Sequence, residues 1–390
     1  MHSLEEKQLL MIPGPTPVPQ SVLRACSRPM INHRGSQYVS MQNEITAGLK
    51  EMYQTQNDVL LLTCSGTGAM EAAIVNTLSP GDKVLALVIG SFGKRFVKIA
   101  KAYGADVEEM EFPWGEAIDP AKVQTRLDQD TNKEFKAVLL QHNETSTGVF
   151  NDLKVLGPMI RAHGALSLVD SVSGLIALDC QTDNWQLDVV AAASQKAFML
   201  PPGLGFVSMS ERAWAAYQNS KMPRFYFDLA EAKAFAEKGQ NPFTPALPQV
   251  YGLQESLRLL RQEGLQNVFA RHQRLADAVR AGAKALGLKL LANHPNASNC
   301  VTAIWAPEEL GPDKIRKFML NKYGVVLAGG QGKLKESIFR IGHLGYVAET
   351  DILGCMAALG SGLKELGFPV TNPAAGVEAA MASFAKEDNK

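Results

Sequence analysis

The sequence predicts an α/β fold: a mainly parallel sheet flanked by helices, then a smaller C-terminal α+β domain. Three observations carry this prediction. Short apolar runs alternate with stretches of helical periodicity between about residues 58 and 210. Turn formers fall where those elements should end, at Ser79-Pro80-Gly81-Asp82 and His163-Gly164. Past Met209 the texture changes to a proline-marked loop, long amphipathic helices and short strands. Strand–helix–strand repetition needs crossover connections, which make the strands parallel and set helices on both faces of the sheet.

Taken in order, residues 1–20 read as an N-terminal arm. Pro13, Pro15, Pro17 and Pro19 alternate with other residues, and each ring fixes φ and removes a backbone donor, so the chain runs extended. An arm of this kind lies across a partner subunit or lines a pocket. Residues 21–262 form the large domain. Its buried strands are expected at Val59–Leu62, Val84–Ile89, Ala137–Leu140, Leu166–Val169, Val189–Ala193 and Phe206–Met209, all nearly continuous apolar runs. Helices are expected at Ala69–Leu78, Lys94–Tyr103 and Leu153–His163. Pro242, Pro245 and Pro248 mark a loop, and Gly264 separates two long helices, Val250–Arg261 and Leu265–Ala285. Residues 263–390 form the small domain, with strands at Cys300–Trp305, Val325–Ala328 and Ser337–Ile341 and helices at Pro312–Asn321 and Thr350–Leu363.

Composition narrows the partners. Lys plus Arg and Asp plus Glu are 39 each, so the net charge is zero, and no long-range field draws the chain to nucleic acid or an anionic membrane. The cysteines, Cys26, Cys64, Cys180, Cys300 and Cys355, are odd in number and scattered. That pattern reads as reduced thiols in a cytoplasmic protein, with no zinc or iron–sulfur spacing and no metal site expected. Met1 to Leu10 is too polar for a signal peptide, Glu387 to Lys390 carries no C-terminal address, and no run reaches the roughly 18 apolar residues of a membrane span.

The chemistry begins at Ser65-Gly66-Thr67-Gly68, after one strand and at the start of a helix. Small residues let backbone approach a ligand, and a helix start offers free N–H groups to an anion. A plain strand-to-helix turn gives the same pattern. The dinucleotide fingerprint fails, because Ala69-Met70-Glu71 follow the second glycine, and the ATPase phosphate loop lacks its Gly-Lys ending. Asp170 ends the strand Leu166–Val169, where a side chain of an open sheet points into the ligand crevice, although a turn aspartate is the plainer reading. Ser194-Gln195-Lys196 follows the run Val189–Ala193, and a lysine beside a buried strand needs a partner unless the chain is turning to the surface there.

Together these segments resemble a known family. Ser65 to Ala72, His142-Asn143-Glu144-Thr145-Ser146-Thr147-Gly148, Val169-Asp170-Ser171-Val172, and Ser194-Gln195-Lys196 followed by Pro201-Pro202-Gly203 look like the class V aminotransferases. The alanine–glyoxylate and serine–pyruvate group is most similar. Pro13-Gly14-Pro15 and Phe339-Arg340-Ile341-Gly342 extend the resemblance over essentially the whole chain. It implies the type I fold of enzymes dependent on pyridoxal 5'-phosphate, with a seven-stranded sheet. Lys196 would hold the cofactor as a Schiff base, and Asp170 would face the pyridine nitrogen and keep it protonated. Ser65, Gly66, Thr67 and Gln195 would hold the phosphate, and Thr145 would bond near the ring oxygen. Phe92 would stack on the ring where relatives often place tryptophan. Thr244 would reach the neighbouring subunit's cofactor, implying a homodimer with shared sites. Asn241 stands where some relatives have a tyrosine. Arg340 would clamp the substrate carboxylate.

The expected reaction is transamination between small amino acids and 2-oxo acids, alanine or serine to glyoxylate or pyruvate, by a ping-pong sequence. No second cation stands out for a side-chain carboxylate, although Arg95 and Arg34 are available. His33-Arg34 reads as an entrance loop, His142 as a residue near the ring, and Lys333 as solvated. A desulfurase or lyase would use the same Lys196 and Asp170, but residues 321–340 contain no cysteine for a desulfurase. A hydrogenase or electron-transfer subunit would need cysteine or histidine clusters. A silent interaction protein would have no use for both Asp170 and Lys196.

Overall fold

The computed structural model describes residues 8–387. The expectations for Met1 to Lys7 and for the last residues, 388–390, lie outside that range. In chain order the elements begin with β1 (Leu9–Met11), α1 (Gln20–Cys26), α2 (Ser36–Tyr53), β2 (Asp58–Leu62), α3 (Gly66–Val75), β3 (Lys83–Val88), α4 (Ser91–Ala102), β4 (Asp106–Glu111) and α5 (Pro120–Gln129). Next come β5 (Phe135–Gln141), β6 (Asn143–Glu144), β7 (Val149–Phe150), α6 (Leu153–His163), β8 (Leu166–Asp170), β9 (Val189–Ala193), β10 (Gly205–Met209), α7 (Glu211–Tyr217) and α8 (Leu229–Ala236). The remainder is α9 (Leu247–Glu263), α10 (Leu265–Ala285), β11 (Val301–Trp305), α11 (Pro312–Tyr323), β12 (Val325–Gly329), β13 (Ile338–Gly342), α12 (Glu349–Glu365) and α13 (Ala375–Glu387).

Seven strands make the large sheet, in the order β2-β10-β9-β8-β5-β3-β4. All pairs are parallel except those of β10, which runs antiparallel to both β2 and β9. Strand side chains alternate faces, and the core shows it. Leu85, Val138, Val169 and Val190 face one apolar cluster, under α2, α6 and α9, while Val84, Leu139, Leu168 and Val189 face the other, under α3 and α4. Burial on both sides explains why these strands are continuous apolar runs rather than alternating ones.

A second sheet, in the order β1-β12-β13-β11, packs against α10, α11 and α12 around a third apolar cluster. Its first strand comes from the arm. Leu9, Leu10 and Met11 pair in parallel with Val325, Val326 and Leu327, because an apolar tripeptide can satisfy its backbone on the open edge of β12. The proline segment then runs from this small sheet to the end of β9, where the Thr16 N–H donates to the Gln195 carbonyl at 3.2 Å. No helix among the described residues is long and apolar enough to cross a membrane.

Candidate active site

The parallel strands deliver their carboxyl ends to one edge of the large sheet, and most of the singled-out residues follow those ends. Gly66 opens α3 after β2, Phe92 lies in the first turn of α4 after β3, and Thr145 follows β6. Asp170 ends β8 and Lys196 follows β9. Arg340 arrives from the other sheet, on β13, and its guanidinium donates to the Thr145 carbonyl at 2.6 Å and the Gly329 carbonyl at 2.8 Å. It is 4% exposed and has no carboxylate within ion-pair distance among the described residues. Its donors beyond those two carbonyls suit a planar carboxylate.

Lys196 sits under the arm. Its Nζ donates to the Pro13 carbonyl at 2.5 Å, and its own carbonyl accepts from the Thr16 hydroxyl at 3.1 Å. Gly14 is required by this contact. Its φ is +125°, and a Cβ there would fall 2.4 Å from Lys196 Nζ, far inside van der Waals contact. Burial first, then the Arg340 charge, lowers the Lys196 amine to about 8, against the pull of Asp170. Asp170 is 4% exposed and accepts one backbone bond, from Val172 N–H at 3.0 Å. Burial lifts its carboxyl to about 7, with the Glu144 charge adding to the rise and Arg95 and Lys196 opposing it. A buried acid with so few partners is built to meet a cation.

The residues also fit a bound phosphate. Ser65 makes no side-chain cap on α3, so the N–H groups of that first turn are left for another acceptor, whereas α5, α6, α7 and α8 are each capped by an Asp or Ser side chain. A Cβ on Gly66 would lie 2.8 Å from Val172, which keeps that turn bare. Gln195 Oε1 is buried with no partner among the described residues. Arg95 places its guanidinium 3.5 Å from the Thr67 hydroxyl and 4.7 Å from the centre of the Phe92 ring.

The other candidates take quieter places. Asn241 is buried, bonded to the Tyr38 hydroxyl and, at 3.4 Å, to the Leu61 carbonyl. Thr244 is exposed and follows half-buried Phe243, which forms an aromatic patch with exposed Phe225 and Tyr226, Tyr226 and Phe243 being stacked at 5.2 Å. Arg34 holds the carbonyls of Asn241 and Pro242 at 2.6 and 3.0 Å, so it braces the loop that carries Thr244. His142 Nδ1 lies 2.9 Å from the Ser171 hydroxyl, and burial lowers the ring to about 4, which keeps it neutral. Lys333 rests over the Trp114 ring. Sequence reasoning gave no role to Pro13, Gly14 or Thr16. Their contacts with Lys196 span some 180 residues, and the arm's composition and the Pro13-Gly14-Pro15 resemblance mark the segment without showing what it touches.

The chain as a whole matches a family of known proteins. Residues 9–341 match the aminotransferase class-V family model. The chain belongs to that family. A protein of Anabaena cylindrica named the soluble hydrogenase 42 kDa subunit is 46% identical, over 98% of this chain and 100% of its own. An L-aspartate–glyoxylate aminotransferase of Paracoccus denitrificans is 39% identical over 93% of this chain and 92% of its own. The crystal structure of an alanine–glyoxylate aminotransferase from a Nostoc species superposes with a TM-score of 0.88 at 31% identity, covering 91% of this chain and 95% of that one. The protein is thus a pyridoxal-phosphate-dependent aminotransferase, and its fold is that of the type I enzymes. Among the described residues no group of three or more His, Cys, Asp or Glu is placed to hold a metal ion.

Proposed function

We propose that the protein transfers the amino group of a small amino acid, alanine or serine, to glyoxylate or pyruvate, using pyridoxal 5'-phosphate held at Lys196. The observation that carries this reading is the pair formed by a lowered Lys196 amine and a raised Asp170 acid at neighbouring strand ends, with Arg340 free to take a carboxylate. Gly66, Thr67 and Gln195, with Ser65, would hold the phosphate, Phe92 would cover the ring, and Thr145 would bond near its oxygen. When bound, the cofactor supplies an electron sink and carries the amino group between the two substrates.

The chain's own residues do the rest. Arg340 docks the substrate carboxylate, which orients the α-carbon toward Lys196. Lys196 Nζ takes the α-proton and would pass it to the cofactor rather than back to the α-carbon, a task that suits an amine whose pKa lies near 8. Asp170 holds the proton on the ring nitrogen by supplying the opposite charge. The arm residues Pro13, Gly14 and Thr16 cover Lys196 and keep its amine in place. No cysteine lies in the loop before Arg340, and Cys300 is buried with its thiol on the Ser173 carbonyl, which supports transfer over desulfuration.

The reading extends to assembly. Residues 21–262 are the cofactor-binding domain, 263–390 the small domain, and 1–20 the arm, whose Leu9–Met11 and Thr16 tie the two. Exposed Thr244 beside the Phe225–Tyr226–Phe243 patch supports a homodimer in which Thr244 reaches the partner's phosphate, with Asn241 bracing that loop. The five cysteines are all unpaired, which supports a cytoplasmic protein. A panel of alanine, serine, glycine, aspartate and glutamate against glyoxylate, pyruvate and 2-oxoglutarate tests the substrate choice. Preference for alanine or serine with glyoxylate or pyruvate is expected. Strong preference for aspartate would overturn it and point to Arg95 as a second carboxylate partner.

A further inference from the structure

Glu144 belongs to a motif singled out in the sequence, yet the mechanism above gives it no task. It is wholly buried, 0% exposed, at the end of β6. One carboxylate oxygen accepts the N–H groups of Phe92 and Gly93, both at 3.0 Å. The other accepts the Ser146 N–H at 3.0 Å and its hydroxyl at 2.6 Å. Ser146 Oγ in turn accepts the Ser91 N–H at 2.9 Å. Burial raises the Glu144 pKa, and the hydrogen bonds from Ser146, Gly93 and Phe92 oppose that rise. Three of the four groups on the carboxylate are obligate N–H donors, which favours the ionised form. No cation lies within ion-pair distance of it among the described residues. The negative charge is therefore held by the first turn of α4, at the positive end of the helix.

The two segments that meet on this carboxylate are the two that shape the site. Phe92 is in the α4 turn, and Thr145 lies between Glu144 and Ser146, with its carbonyl on Arg340 at 2.6 Å. The space is filled, since a Cβ on Gly90 would come 2.4 Å from the Glu144 carboxyl. Arg340 itself has only carbonyl partners, so Glu144 supplies a nearby buried anion without occupying the guanidinium face that substrate needs. We propose that Glu144 is a positioning residue that fixes Phe92 and the Thr145–Arg340 contact in one geometry, aligning ring cover and substrate clamp. The proposal rests on the reading of Arg340 as the carboxylate clamp and of Phe92 as the ring cover.

The test uses the cofactor-loaded enzyme and three variants, Glu144→Gln, Ser146→Ala and Arg340→Ala. KM and kcat are measured for donor and 2-oxo acid, and visible circular dichroism reports how the cofactor ring is held. Glutamine turns an N–H₂ toward N–H donors, so KM for both substrates should rise about 10- to 100-fold, with a smaller fall in kcat and a changed dichroic band. Ser146→Ala keeps the charge and should move both readouts in the same direction by less. Should Glu144→Gln fail to fold, Ser146→Ala decides on the same readouts. Unchanged KM and dichroism in Glu144→Gln, beside a raised KM in Arg340→Ala, would overturn the proposal alone. Unchanged KM in Arg340→Ala would overturn the clamp reading beneath it.

Discussion

Replacing Asp170 by asparagine should stabilise the cofactor-free protein near neutral pH while disabling the enzyme. The carboxyl is 4% exposed and accepts a single backbone bond. Burial carries its pKa from 3.8 to about 7. Between these values the folded chain holds a proton that the unfolded chain has released. Stability therefore falls as pH rises through this window, and the penalty is complete above the folded pKa. The gap corresponds to about 4 kcal/mol. Asparagine has the same shape and no charge, so the Asp170 contribution disappears. Buried His142 and His272, whose lowered pKa values make stability rise with pH, act alike in both chains and cancel in the difference. Lys196 does not mimic the Asp170 effect, because a lowered amine makes stability rise with pH, and only between about 8 and 10.5. Urea unfolding of cofactor-stripped wild type and Asp170→Asn is the assay, run at intervals from about pH 4.5 to 8. The two should differ least at the acid end, by about 1 kcal/mol, and diverge by a few kcal/mol at the other, with the variant more stable. Parallel curves would refute the view of Asp170 as a strained acid awaiting a cation. In the loaded protein the substitution should instead weaken cofactor binding.

Other outcomes follow from the same geometry. Gly14→Ala puts a Cβ onto Lys196 Nζ at a φ of +125°, and strain plus overpacking should cost about 2–5 kcal/mol; unfolding by urea with an unchanged midpoint would contradict the arm's role as cover. Arg340→Lys loses the planar fork and should raise KM for donor and acceptor about 10-fold or more, with steady-state kinetics as the check. Thr244→Ala should weaken cofactor affinity about 10-fold by equilibrium dialysis, the worth of one bond to a charged phosphate; unaltered affinity would count against shared sites.

How much of this was legible in the sequence depended on where each residue's environment comes from. Strands buried on both faces, such as Val189–Ala193, announce themselves as unbroken apolar runs. The edge strand Asp106–Glu111 carries no strand signal, because Val107 and Met110 stand three apart among four acids, with no alternation, and it is exposed at both ends. Helix Ser36–Tyr53 was missed as well; its buried positions are spread among polar ones and include Gln42 and Gly48. Helix α3 begins at Gly66 and ends at Val75, whereas periodicity placed it over Ala69–Leu78, since glycines give no apolar signal at its start. Within the site, Asp170 and Lys196 were visible as polar residues at strand ends. A lowered Lys196 amine is expected from burial beside a cation, but that Arg340, from the other sheet, supplies that cation is not legible. Nor is the rise at Asp170, which comes from burial and the Glu144 charge. The same holds for Pro13 and Gly14, whose local sequence says only that the chain is extended.

Attachment of the cofactor to one lysine is the centre of this account. The most direct measurement is borohydride reduction of the loaded protein, followed by mass spectrometry of its peptides. A pyridoxyl phosphate adduct on Lys196, lost in Lys196→Ala along with the bound cofactor's visible absorbance, is the predicted result. An adduct on another lysine, or an unchanged visible spectrum in Lys196→Ala, would contradict it.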